Sequence, residues 1–221
     1  MYKLLTVSLI AALTSANIAY VSDANAAWPA LNQYYSFSAA TELYQWDGSK
    51  LVSTKGVTGT AKVDAGRNKV KIDGKATISG LGSIDGQVLL DFTAGTALEY
   101  VKALGICQKK PLNFTLSLKT VLSQLYSESA GLTKYIGQST APWDATKMHK
   151  FTSTYKQGTE TLISDSYWDQ STKSPKWFYS THTGVVSKLT NQVEATFKDS
   201  DFVISGCNEV SAENSEISMF F

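Results

Sequence analysis

The chain has 221 residues, of which 43% are hydrophobic, 18% charged and 11% aromatic, a composition that supports a packed core and excludes intrinsic disorder. Twenty lysines and arginines against nineteen aspartates and glutamates leave a net charge of +1, and Arg67 is the only arginine, so the basic excess and arginine forks of a nucleic-acid groove are missing. With two histidines, two cysteines and no recognisable catalytic signature, most metal, thiol and Ser-His-Asp chemistries are disfavoured.

Export is written at the start. Lys3 supplies a positive n-region, Leu4 to Leu13 an apolar h-region, and Ala24-Asn25-Ala26 places small residues at the −3 and −1 positions of a cleavage site, so residues 1–26 read as a removable secretory signal peptide. A transmembrane anchor would need about twenty apolar residues, and Thr14, Ser15, Asn17, Ser22 and Asp23 interrupt the run. The mature chain, from Ala27, is expected to be secreted, or held in the lumen of the secretory pathway, with no transmembrane segment. In that oxidising setting Cys107 and Cys207 become a disulfide pair, closing a loop of about a hundred residues worth roughly 4–5 kcal/mol of chain entropy. Two separate buried thiols are the alternative.

Along the mature chain the dominant period is two. Tyr35, Phe37 and Ala39 alternate with Ser36, Ser38 and Ala40, and Val57, Gly59, Ala61 and Val63 with Thr58, Thr60 and Lys62, each a strand with one buried face. The cluster Asp64-Ala65-Gly66-Arg67-Asn68 is a turn, and alternation resumes at Lys69 to Asp73, which makes a hairpin. Further strands are expected at Lys75 to Ser79, Gln87 to Phe92, Leu98 to Leu104, His149 to Lys156, Thr161 to Trp168, Trp177 to Thr183, Val185 to Phe197 and Phe202 to Ser205, with Gly95, Gly158, Pro175 and Gly184 at the turns. One segment has another period: Leu118, Val121, Leu122, Leu125 and Tyr126 share a helical face, with Ser117 as N-cap and Gly131 as a stop. So short a helix is stable only when laid on an apolar sheet face.

These elements predict a mainly β fold, a curved antiparallel sheet of about ten strands packed around one or two helices, with a sheet rolled around the helix, a sandwich and a closed barrel as the possible closures. One domain is expected over residues 27–207, followed by an acidic tail, 208–221, carrying Glu209, Glu213 and Glu216 and ending in Met219, Phe220 and Phe221.

The hairpin from Lys62 to Asp73, the stretch Val88-Leu89-Leu90-Asp91-Phe92 followed by Leu98-Glu99-Tyr100 and Cys107, and Pro142-Trp143-Asp144 followed by Phe151, Tyr155, Gly158 and Trp168 resemble, in order and kind, motifs of the ependymin-related family. The resemblance spans roughly residues 57–207. Two further cysteines usual in that family are absent here, and the stretch between Cys107 and Pro142 is longer. The resemblance implies a half-barrel related to bacterial lipoprotein carriers, with a deep apolar pocket for a lipid or another hydrophobic ligand, and associates calcium with the fold.

The expected pocket wall is Leu90, Phe92, Trp143, Phe151, Tyr155, Trp168, Trp177 and Tyr179, residues that would equally fill a core. A lipid site needs no polar motif, because each buried methylene contributes about 0.8 kcal/mol. No catalytic residue and no metal ligand set is expected. His149 and His182 read as structural; for calcium, Asp199 with Asp201, and Asp165 with Asp169, offer oxygens without an EF-hand loop. Asn113-Phe114-Thr115 is the glycosylation sequon. Three functions follow: a secreted, non-enzymatic carrier holding a lipid or hydrophobic small molecule; a structural or adhesive component of the extracellular matrix or cell surface with a filled core; and an unrecognised hydrolase. A homo-oligomer is compatible with each.

Overall fold

Alternation of period two dictates a sheet with two unlike faces, and the computed structural model, which describes residues 27–78, 82–112, 116–127, 133–157, 160–207 and 210–211, places both under cover. The expected signal peptide, most of the acidic tail, Asn113, Gly131 and Gly158 lie outside the described residues. Among the described residues the strands are β1 (Ser36–Trp46), β2 (Leu51–Asp64), β3 (Lys69–Ile78), β4 (Gly82–Asp91), β5 (Thr96–Val101), β6 (Ile106–Pro111), β7 (Thr133–Ala141), β8 (Asp144–Gln157), β9 (Glu160–Trp168), β10 (Pro175–Ser180), β11 (Val185–Glu194) and the short β12 (Val210–Ser211), with one α-helix, α1 (Leu118–Tyr126). They form one sheet in the order β12-β6-β5-β4-β3-β2-β1-β11-β10-β9-β8-β7. Every neighbouring pair is antiparallel except β12, which adds two residues in parallel to β6.

Two antiparallel meanders, β1–β6 and β7–β11, are thus joined where β1 pairs with β11. The chain leaves the first at one edge of the sheet and starts the second at the other, and α1 lies on that crossing. Ten strands, β1–β5 and β7–β11, contribute to one hydrophobic cluster with α1. Laid flat they would be roughly 43 Å wide at about 4.8 Å per strand, whereas a nine-residue helix is about 13.5 Å long. The sheet therefore curls around the helix, an open half-barrel with β7 and β12 at its ends.

Part of the curl is built by glycine. Gly59, Gly74 and Gly86 stand side by side on β2, β3 and β4. A Cβ at Gly59 would lie 2.6 Å from the Asp73 carbonyl oxygen, and one at Gly74 2.9 Å from that of Thr58, so the backbones approach too closely there for any side chain.

The outer face is covered in two ways. After β11 the chain returns across it as a strap: Phe197, Phe202 and Ile204 pack on Leu89, Leu98 and Tyr100, and Cys207 is disulfide-bonded to Cys107 of β6, 100 residues away. Lys62–Asp201 at 2.9 Å, Arg67–Asp199 at 2.7 Å and Lys71 Nζ donating to the Val203 carbonyl at 2.9 Å tie the strap down. The strand expected at Phe202 to Ser205 is instead this strap, with a 3-10 turn at Asp199–Phe202, because its apolar residues are satisfied by side-chain packing on the sheet face.

The expected hairpin at Lys62 to Asp73 is present, and of the strand expected at Lys75 to Ser79 the described part, through Ile78, continues β3, since Gly74 bends the strand without ending it; Ser79 lies outside the described residues. The strand expected to reach Leu104 stops at Val101, where Lys102–Leu104 form a 3-10 turn that Gly105, at φ +62°, terminates. His182 lies in the turn between β10 and β11. Two strands lacked a clear period: β6, short and lysine-containing, and β7, whose pairing with β8 is broken by two bulges.

Candidate ligand-binding site

The inner face is positioned by α1. Ser117 caps it, its side chain accepting from the Thr120 backbone N–H, and Leu118, Val121, Leu122 and Tyr126 are buried as the 3.6-residue period requires. The helix ends at Tyr126, with Ser127 in extended conformation. Its start is held by the β2–β3 turn: Asn68, in the left-handed region at φ +56°, accepts from the Leu118 N–H and donates to the Leu116 carbonyl, both at 2.8 Å. One side-chain amide thus pairs with the chain as a neighbouring strand would. At the other end the Tyr126 hydroxyl donates to the Tyr34 carbonyl at 2.9 Å, and its ring meets Tyr35 and Trp168 edge-on.

Between α1 and the sheet remains an apolar cavity of about 50 Å³, bounded by Phe37, Val63, Val70, Leu122, Trp168 and Leu189 among others. The other half of the concave side is filled by the N-terminal segment. Trp28 packs with its ring tilted at 4.9 Å from Phe151 and 6.5 Å from Tyr135, and Asn32 bonds the Thr172 and Lys173 carbonyls.

The eight expected wall residues do not share a face. Leu90, Phe92, Phe151 and Trp168 belong to the inner cluster, and of these Trp168 borders the cavity. Trp143, Trp177 and Tyr179 belong to a separate cluster with Met148, Tyr167 and Val186 on the outer face. Alternation explains the division: Trp177 and Tyr179 flank Phe178, which points inward with the core. The Tyr155 side chain lies outside the described residues. On the outer face Trp143 is ringed by Tyr179 at 5.2 Å, Trp46 at 5.4 Å and Trp177 at 5.9 Å. Asp144 anchors this platform, accepting from Lys176 at 2.7 Å, Trp177 Nε1 at 2.9 Å and the Thr146 N–H at 2.9 Å. Burial pushes its carboxyl up, but these hydrogen bonds outweigh burial and hold it well below the usual carboxylate range.

The groups considered for metal or acid–base chemistry are dispersed. Asp199 and Asp201 pair with Arg67 and Lys62, Asp165 with Lys150 at 2.8 Å, and Asp169 caps a turn at Ser171 and Thr172. Among the described residues no three His, Cys, Asp or Glu groups assemble as a metal set. His149 accepts from or donates to the Tyr135 hydroxyl at 2.8 Å, and burial lowers its pKa.

Gln192 is the cavity residue that sequence periodicity misplaces. Counting from Leu189, alternation sends residue 192 outward. The β1–β11 register instead carries an extra residue between Thr190 and Val193, opposite Ala40 to Ser38, and Asn191 takes φ +53°. This bulge turns Gln192 inward onto the cavity. Its Oε1 is buried with no hydrogen-bond partner among the described residues. The signal in the sequence was Asn191 itself, since asparagine tolerates the left-handed region better than most residues.

No helix among the described residues is long and apolar enough to cross a membrane. Compared with known proteins, the chain matches no family model and no curated protein.

Proposed function

We propose that this is a secreted, non-enzymatic binding protein for a hydrophobic molecule with a single chain, held between α1 and the concave face. The observation that carries the reading is the apolar cavity under α1, roofed by a nine-residue helix that is fastened at its ends by Asn68 and Tyr126. A sheet whose inner face is apolar over ten strands needs one cover, and the same surface that packs Leu122 would pack methylenes at about 0.8 kcal/mol each. About 50 Å³ is far below the roughly 300 Å³ at which pockets for ordinary small ligands begin. The ligand therefore enters by shifting α1 away from the sheet, which widens the cavity between them. The ependymin-like order of motifs and the signal-peptide pattern support the same reading.

A second reading, the matrix or cell-surface component with a filled core, is favoured by that small volume. Organic extraction of the natively purified protein followed by mass spectrometry separates the two. A stoichiometric amphiphile supports the carrier; a clean extract, together with no saturable uptake by the delipidated, folded protein, supports the filled core.

A further inference from the structure

We infer that the ligand of this cavity is a neutral amphiphile presenting a hydroxyl group, a single-chain alcohol or its ester with a free hydroxyl, and not a fatty-acid anion. The inference rests on the carrier reading and names the head group that reading leaves open. It follows from the cavity's few polar groups.

The phenol of Tyr126 is used by the Tyr34 carbonyl, and the indole N–H of Trp168 by Ser166 Oγ at 3.1 Å. Gln192 remains, its buried Oε1 unpaired among the described residues. A buried acceptor without a partner is costly, and a ligand that supplies a donor recovers that cost on binding. A hydroxyl is suited to the position because it both donates and accepts, and so satisfies the carboxamide whichever end of it faces the cavity.

Charge excludes the alternative. None of the described residues bordering the cavity is a lysine, arginine or histidine, so a carboxylate or phosphate drawn in against Leu118, Val121 and Leu189 would be desolvated without a counter-charge from them. The bulge at Asn191 gives the placement its origin. One inserted residue turns a polar side chain from the outer face into an otherwise apolar chamber, the kind of re-aiming for which bulges are used next to sites.

The test is binding of 1-decanol, 1-chlorodecane and decanoate, at about pH 8, to the delipidated mature protein and to its Gln192→Leu variant, by equilibrium partition of labelled probe. The expected result is 1-decanol bound about tenfold more tightly than 1-chlorodecane, as one recovered hydrogen bond provides, with decanoate weaker than both. Gln192→Leu should abolish the preference, so that 1-decanol and 1-chlorodecane bind alike. Equal binding of all three probes, tighter binding of decanoate, or a decanol preference that survives Gln192→Leu overturns the inference while the carrier reading stands. Absence of saturable binding by every probe overturns the carrier reading and the inference with it.

Discussion

Truncating Leu122 to alanine should weaken the fold and enlarge the site at once. Leu122 is 8% exposed on the inner face of α1 and borders the cavity of about 50 Å³. Leucine-to-alanine changes in packed cores cost about 2–5 kcal/mol, increasing with the volume of the void left behind. Here the new void merges with one already present and the residue is not fully enclosed, so the lower half of that range applies, about 2–3 kcal/mol. For a mature chain near 200 residues this lowers Tm by roughly 4–12 °C. Urea unfolding followed by tryptophan fluorescence measures it, with Lys119→Ala, on the exposed face of α1, as a control expected within about 0.5 kcal/mol. The same variant should bind 1-decanol more tightly than the parent, because the ligand fills space that Leu122 vacated. A loss below about 1 kcal/mol, or a loss no larger than that of the control, would refute the packing of α1 through this face.

Asn68→Ala should cost about 2–4 kcal/mol by urea unfolding, two hydrogen bonds plus an alanine forced to φ +56°, and Asn68→Gly less, since glycine tolerates that φ; equal losses would mean that the hydrogen bonds alone matter. Gly59→Ala, whose Cβ would meet the Asp73 carbonyl at 2.6 Å, should destabilise by about 1–3 kcal/mol, and a silent substitution would remove the bend from the account. Asp144→Asn should cost about 1–2 kcal/mol at neutral pH by releasing Lys176 and Trp177. Because the folded carboxyl titrates below its unfolded value of about 3.9, that stabilisation is present above this pH and lost as pH falls below it; parent and variant unfolding curves should therefore converge in acid, and a gap that widens there would contradict the assignment. Intact mass should place the mature start at Ala27, with Cys107 and Cys207 alkylated only after reduction; a chain retaining Met1 would remove the export reading.

Local chemistry made several elements legible before any coordinates. The Asp64–Asn68 turn, the helical stripe from Leu118 to Tyr126 and the pairing of Cys107 with Cys207 all follow from residue type, spacing and redox setting. What stayed hidden depended on which way a strand faces. Trp177 and Tyr179 read as wall residues beside Trp168, yet they lie on the other side of the sheet, because composition does not distinguish two apolar faces. The outer face is apolar for a reason the sequence does not announce: the strap from residue 195 to Cys207 covers one half of it and an aromatic platform the other. Gln192 was missed because a single bulge reverses alternation downstream of Thr190. Trp28 was missed because the segment before β1 has no period at all, although it packs against Phe151 in the inner core.

The claim that a ligand is held between α1 and the concave face is tested most directly by amide hydrogen exchange of the delipidated protein with and without saturating 1-decanol. The account predicts a change in protection confined to Leu118–Tyr126 and to the strands facing it around Val63, Val70 and Leu189, with the platform around Trp143 unaltered. Identical exchange along α1 in the two samples would contradict it.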